Sequence, residues 1–320
     1  MYDVITIGSA TLDVFVYTDM SDIKKGRQEL IAYPVGSKIL IKELNFMTGG
    51  GGTNTAVSFS RLGLKTAYLG KLGTDDSSEK IINSLKKEKI DFIGPRSRED
   101  HTAYSVILDS KQRNRTILTY KGVSNKLKYK EIRKKAKKSG WVYMSSLMGS
   151  GFEAQKRLAL ETKSKVAYNP SEYQIKNCNV KPLVANTDVL IFNSKEANLL
   201  TGKKNIKEQM KKLSRMGPEI ICITCGSVGD YVYDVNGGNF YSMKPHKIKI
   251  KERTGAGDAF ASSFVAGLMK GKSIEFSMRL ALANSESVIM YHGAKNKLLR
   301  YSSALKKMRE KPARIKVEKI

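Results

Sequence analysis

Short β-branched and apolar runs alternate with stretches of helical periodicity along most of this chain, and that alternation restricts the fold more than any single motif. Candidate strands lie at 4–7, 67–69, 141–144, 166–168, 189–192 and 220–224. They are short, mostly apolar and β-branched runs, the pattern of strands covered on both faces in a parallel sheet. Helical patterns occupy 54–62, 79–88, 130–138, 152–162, 194–200, 206–216, 258–270 and 273–291. The expected class is α/β, with a mainly parallel sheet covered by helices. Two segments, 11–44 and 96–120, break the rhythm. The in-out patterns at 104–108 and 115–120 predict hairpins, so a small β-layer should project from the main sheet near its strand ends, in the position of a lid. No internal repeat or low-complexity linker interrupts residues 1–320, which are expected to form one domain.

Composition narrows the function classes. A chain that is 41% hydrophobic and 27% charged is expected to be globular, and its longest apolar runs are too short to cross a bilayer. The opening Met1-Tyr2-Asp3-Val4-Ile5-Thr6-Ile7-Gly8 reads as a strand entering a turn, without a basic region or apolar signal core, so a cytoplasmic location is expected. The three cysteines, Cys178, Cys222 and Cys225, cannot all pair, which suits a reducing compartment. Cys222 and Cys225 form a C-x-x-C, but on a strand positions i and i+3 face opposite ways, which argues against a metal or redox pair. His101, His246 and His292 are too scattered for a zinc site. The formal charge is +27, from 57 basic and 30 acidic residues. Nucleic-acid binding would use such charge, yet the lysine runs carry no interleaved aromatics, so solvated helix faces are the expected explanation. The positive field would also attract an anionic ligand such as a nucleotide.

The segment Arg253-Thr254-Gly255-Ala256-Gly257-Asp258 is a glycine-broken turn leading into a helix. Phe260, Phe264 and Leu268 recur at i, i+4 and i+8 as its apolar stripe, and Gly271 marks its end. The first turn of a helix carries unpaired N–H groups and partial positive charge, and glycines let a phosphate approach that backbone closely. Asp258 then has two readings. It caps the helix, or it takes a proton from an attacking hydroxyl beside the phosphate.

Four further constellations accompany this turn. Gly49-Gly50-Gly51-Gly52 leads into a helix with Asn54 in its first turn; the cluster is neither a Walker loop nor a dinucleotide fingerprint, and it would let backbone and amide meet a hydroxylated ligand. Asp13 follows the first strand, where it could accept bonds from adjacent hydroxyls or serve as a turn acid. Asn193 and Glu196 open a helix after the 189–192 strand, spaced to orient a hydrated magnesium ion or to form a capping box. Thr224, Gly226 and Gly229 form a strand-to-glycine turn able to accept a nucleotide.

Taken together in this order and spacing, with Gly70-x-x-Gly73-x-Asp75 and Arg115-Thr116-Ile117 as supporting matches, these motifs make the chain resemble the ribokinase-like (PfkB) family of carbohydrate and nucleoside kinases from about residue 3 to 294. The resemblance implies a ribokinase-like three-layer sandwich with a β-sheet lid, and an ATP- and Mg2+-dependent kinase. In that reading Asp258 is the general base, and Gly255, Ala256 and Gly257 form the anion hole. Asp13, Gly49, Gly50 and Asn54 bind the acceptor; Asn193, Glu196, Thr224, Gly226 and Gly229 bind nucleotide, with Glu196 reaching Mg2+ through water. The expected acceptor is a sugar. A nucleoside of the adenosine, cytidine or guanosine type, or a sugar phosphate, is the alternative, and a non-catalytic sugar- or nucleic-acid-binding protein is the reading from another class. Tyr17, Phe46, Tyr104 and Tyr120 are the aromatics that could stack on a base. The family's dimers imply a homodimer through the lid. One departure concerns a K+ site: family members commonly carry Asp-Thr-Thr before Gly-Ala-Gly-Asp, whereas this chain has Glu252-Arg253-Thr254. Glu252 would be the monovalent-cation ligand, and Arg253 a further source of charge near the phosphates.

Overall fold

The computed structural model describes every residue except Arg113 and His292, the latter one of the three histidines considered above. Seven strands form the parallel part of a ten-stranded sheet: β1 (Tyr2–Ile7), β6 (Thr66–Tyr68), β7 (Asp91–Phe92), β10 (Ser139–Ser145), β11 (Lys165–Asn169), β12 (Val189–Asn193) and β13 (Ile220–Thr224). Their order is β13-β12-β11-β10-β1-β6-β7, all neighbours parallel. The antiparallel strands β14 (Asp230–Asp234), β15 (Asn239–Met243) and β16 (Ile315–Lys319) complete the β13 edge. These three do not stand out in sequence. Their runs mix polar with apolar residues, and β16, Ile315-Lys316-Val317-Glu318-Lys319, places charges between and after its apolar residues on a mostly exposed edge, as edge strands do to discourage further pairing.

Alternate residues of the strands feed two cores, one on each face. Val142, Met144, Leu190 and Phe192 pack with Leu158 of α4 (Gly149–Glu161) and Leu213 of α8 (Ile206–Ser214). Tyr143, Ala167 and Ile191 pack on the other face with Phe260 and Phe264 of α9 (Ala256–Met269) and Leu280 of α10 (Ile274–Ile289). The strands are therefore apolar throughout because both faces are covered. Phe264 is fully buried, and cutting it to alanine would cost roughly 3–5 kcal/mol. Helices α1 (Gly51–Arg61), α2 (Asp76–Lys87), α3 (Tyr129–Ala136), α7 (Ser194–Thr201) and α11 (Tyr301–Glu310) lie near their expected places or, for α11, in addition to them; α5 (Glu172–Asn177) and α6 (Lys181–Val184) are too short for their periodicity to register.

The departures at 11–44 and 96–120 form a second sheet of order β5-β2-β8-β9, built from β2 (Thr11–Tyr17), β5 (Glu43–Gly49), β8 (Ala103–Asp109) and β9 (Arg115–Tyr120). The β8–β9 hairpin matches expectation, while β2 pairs in parallel with β8. A separate hairpin joins β3 (Asp22–Lys25) to β4 (Gln28–Ile31). Asp13 is not a turn acid: Gly8, Ser9 and Ala10 make the turn, and Asp13 is the third residue of β2. Cys222 is buried on β13, Cys225 lies beyond the strand end, and both are free thiols. Among the described residues, no helix is long and apolar enough to cross a membrane.

Candidate active site

The chain runs outward from β1 to β6 and β7 on one side and from β10 to β13 on the other, so the order reverses between β1 and β10. Open α/β sheets bind ligands at the carboxyl ends of strands flanking such a reversal. Gly8 directly follows β1, Ser145 ends β10, and the N-terminus of α1 closes over both. A Cβ on Gly51 would come 2.9 Å from Ser145 Oγ and 3.6 Å from Asp258 Oδ1, which brings the start of α1, the end of β10 and the start of α9 together.

Helix α9 starts at Gly255, whose φ of 80° is left-handed and whose absent side chain makes room for Ala294. No side chain caps this helix. Ala256 N–H turns to the Arg253 carbonyl at 3.2 Å, which leaves Gly257 and Asp258 with the amides that a helix start cannot satisfy internally. Gly257 faces open space. Asp258 lies in the first turn without capping it: its Oδ2 accepts a 2.9 Å hydrogen bond from Asn54 Nδ2. Burial pushes the Asp258 carboxyl above the usual carboxylate range, while the Asn54 bond and the charge of Lys295 pull the other way. Asn54 is itself buried, and its Oδ1 has no hydrogen-bond partner among the described residues. The same holds for Ser145 Oγ.

The lid sheet brings Asp13 to this centre. A Cβ on Gly49 would lie 1.9 Å from Asp13 Oδ2, so only glycine lets β5 run past that carboxylate. Burial raises the Asp13 carboxyl, against hydrogen bonds from the Thr11 and Ser105 hydroxyls and the charges of Lys295 and Lys121. Lys295 Nζ donates to Thr48 Oγ1 at 3.1 Å, and burial pulls its ammonium down to about 7 despite the carboxylates of Asp13, Asp258 and Glu88. Strand alternation puts Phe15 and Tyr17 on the face of Asp13. Phe46, Tyr104 and Tyr120 lie on the opposite face, so these three aromatics do not share the Asp13 face.

A second group sits along the same sheet edge. Asn193 and Thr224 end β12 and β13 as register partners, and the turn at Gly226 and Gly229 follows with φ of 57° and 145°. Asn193 Oδ1 accepts from Glu196 N at 3.0 Å and Asn193 N donates to Glu196 Oε2 at 2.8 Å, so the capping box is real. Burial nevertheless drives the Glu196 carboxyl up to about 7, and the neighbouring charge that bears on it is another acid, Glu172. Among the described residues no cluster of three or more His, Cys, Asp or Glu forms a metal cage. One buried carboxylate, Glu196, fits a hydrated Mg2+ held mainly by phosphates, which is how that ion is usually bound.

Glu252, just upstream of the anion-binding turn, is engaged on both oxygens. Arg115 Nη1, from the lid strand β9, donates to Oε1 at 2.7 Å, and Gly293 N–H donates to Oε2 at 3.1 Å. Arg253 is exposed and contributes its carbonyl to the turn.

A model of the pfkB family of carbohydrate kinases matches residues 3–300. The chain belongs to that family. It is 28% identical over 251 residues to an uncharacterized sugar kinase of Archaeoglobus fulgidus, covering 76% of this chain and 99% of the relative. It is 24% identical over 301 residues to the cytidine kinase of Thermococcus kodakarensis, covering 92% and 98%. The crystal structure of ribokinase from Thermotoga maritima superposes with a TM-score of 0.84 at 21% identity, covering 97% of this chain and all of that one, so the fold is ribokinase-like. As a PfkB kinase the protein is a phosphotransferase to an alcohol acceptor and uses ATP.

Three residues of this kinase's cleft were not singled out as site residues from sequence. Ser145, Lys295 and Arg115 each lie far along the chain from the motif they join; Ser145 and Arg115 are on strands, and the turn that Gly293 opens around Lys295 carries no acid to mark it as a site. Arg115 carried a weak signal, as part of the lid strand that supported the family resemblance.

Proposed function

We propose that this kinase transfers the γ-phosphoryl group of ATP to a hydroxyl of a sugar, with Asp258 as general base and the Gly255-Ala256-Gly257 turn as anion hole. The observation that carries the reading is the Asn54–Asp258 bond. It fixes one oxygen of a desolvated carboxylate at an uncapped helix start, while Asn54 Oδ1 is left to accept from an incoming hydroxyl. Asp258 accepts the proton of that hydroxyl as its oxygen attacks phosphorus. The first-turn amides of α9, with the positive end of the helix, hold charge on the transferring group. Asp13 and the backbone at Gly49 and Gly50 orient the other hydroxyls of the acceptor, and positioning supplies much of the rate. Asn193, Glu196, Thr224, Gly226 and Gly229 hold the nucleotide phosphates. Mg2+, organised through water by Glu196, would neutralise phosphate charge when bound.

A second reading has one specific observation behind it. Phe15, Ile107 and Ile117 form a cross-strand row next to the row of Asp13 and Ser105, on the same face of the lid sheet. An apolar row beside a hydroxyl-binding acid suits a nucleoside, whose base needs a flat apolar surface. A sugar phosphate would instead draw on Lys121 and Lys295.

The whole chain acts as one kinase domain, with the β5-β2-β8-β9 sheet as lid. Leu44, Phe46, Leu118 and Tyr120 are exposed on the lid face opposite Asp13, which supports a homodimer through the lid. Assaying ADP release from Mg·ATP against panels of sugars, sugar phosphates and nucleosides tests the acceptor. Acceptance of free sugars supports the first reading, and turnover of nucleosides alone replaces it with the second.

A further inference from the structure

The contacts of Glu252 do not fit a bound monovalent cation. Its side chain is 1% exposed, and the Arg115 guanidinium lies 2.7 Å from Oε1. Burial by itself would raise this carboxyl. Hydrogen bonds from the Thr254 hydroxyl, the Arg115 guanidinium and the Gly293 amide outweigh it and hold the group below the usual range. An alkali ion needs several oxygens around it and no like charge at contact, whereas here a protein cation already occupies the carboxylate. The same Nη1 also donates to Thr254 Oγ1 at 3.1 Å, one residue before Gly255, and Arg115 Nε faces Asp109 Oδ1 across the hairpin at 3.8 Å. One guanidinium thus touches the lid hairpin, the buried acid and the turn that starts α9. The exposed Arg253, the other candidate for this charge, has no place in that chain of contacts.

We infer that Arg115 is the resident cation of the anion-binding turn: a positioning residue that ties the lid to Glu252 and Thr254 and makes phosphoryl transfer independent of added monovalent cations. The inference rests on the kinase reading, because it assigns Arg115 a part in shaping the anion hole. Its consequence is conformational as well. When the lid lifts, Arg115 leaves Glu252, so the turn loses its cation together with its cover, and the hole is complete only over an enclosed acceptor. A guanidinium suits this position better than an ammonium, since Nη1 holds Glu252 and Thr254 while Nε, at the other end of the same rigid plane, faces Asp109 of the hairpin.

The test has two arms. The first needs no turnover: thermal unfolding of the unsubstituted protein in potassium, sodium and tetramethylammonium chloride at equal ionic strength. Equal midpoints are expected, and a midpoint raised by potassium alone would overturn the inference, since it would report a bound ion. The second arm compares turnover of Arg115→Met and Arg115→Lys with the unsubstituted kinase. Arg115→Met should lose roughly 10²-fold in kcat, the scale of an anion-hole donor, with a smaller change in KM. It should regain activity with added guanidinium but not tetramethylammonium, and Arg115→Lys should fall between. Equal turnover of all three, or potassium activation of the unsubstituted enzyme, would overturn it. Should Arg115→Met unfold because Glu252 is left buried and unpaired, the Arg115→Met, Glu252→Gln pair removes that charge and takes its place in the assay. Absence of any kinase activity would count against the function proposed above, while the unfolding arm still decides this inference.

Discussion

The Asn54 amide donates to Asp258 Oδ2 at 2.9 Å across 204 residues of sequence, and its own oxygen is buried without a hydrogen-bond partner among the described residues. One side chain therefore touches the proposed base and has its acceptor left for the hydroxyl that this base would deprotonate. In Asn54→Ala the bond that favours the ionised form of Asp258 is lost, so a carboxyl already raised by burial moves higher still. Since the base works only when ionised, the acidic limb of the kcat–pH profile should shift to higher pH, and kcat at neutral pH should fall roughly 10–100-fold. A profile with its acidic limb unmoved would show that Asn54 does not act on Asp258.

Lys295 gives a stability signature. Its folded-state value of about 7 lies below the ordinary lysine value, so between about 7 and about 10 the unfolded chain binds the extra proton. Stability from this group therefore rises with pH across that window, and below it the charged ammonium is buried at a cost. Groups bearing on it are Asp13, Asp258, Glu88 and Arg61. Urea unfolding of Lys295→Met across the same range should lack the rise seen in the unsubstituted protein. Parallel pH curves for the two proteins would refute this.

Asp230 behaves with the opposite sign. Burial, aided by the charge of Glu286, raises its carboxyl to about 7, so the folded state holds the proton more tightly than the unfolded one. Stability is then lost as pH rises from about 4 through about 7. Asp230→Asn should stabilise the fold at pH 8 by on the order of 1–4 kcal/mol and have little effect near pH 4. Chemical denaturation at the two pH values measures the difference, and equal effects at both would contradict it.

Two glycines with similar backbones separate folding from activity. Gly255 and Gly271 have φ of 80° and 65°, so alanine strains both, by roughly 1–3 kcal/mol. Only at Gly255 would the added methyl collide, lying 2.5 Å from Ala294 Cβ, and only there does the turn meet the proposed phosphoryl group. Both Gly255→Ala and Gly271→Ala should lower the melting temperature. Only Gly255→Ala should also lower kcat, by about 10²-fold. Equal kcat in the two variants would remove Gly255 from the anion hole.

The parallel sheet was legible because strands buried on both faces read as unbroken apolar runs, as Val189–Asn193 shows. The anion-binding turn was legible because glycine and aspartate mark a helix start. Sequence was silent where partners are distant. Asn54 and Asp258 could each be named, but their bond, which decides between capping and catalysis, depends on α1 and α9 meeting over Ser145. Lys295 looked like one of many basic residues and Arg115 like part of a lid strand, and their places beside Asp13, Asp258 and Glu252 emerge only from the folded chain. The edge strands β14 to β16 were missed because partly exposed strands lack the unbroken apolar run that marked the others.

Turnover of Asp258→Asn bears most directly on the proposed chemistry. With the acceptor identified by the substrate panels, ADP release under saturating Mg·ATP should fall roughly 10²–10⁴-fold, with melting temperature and nucleotide binding retained. Turnover within a few-fold of the unsubstituted enzyme would contradict the assignment of Asp258 as the base.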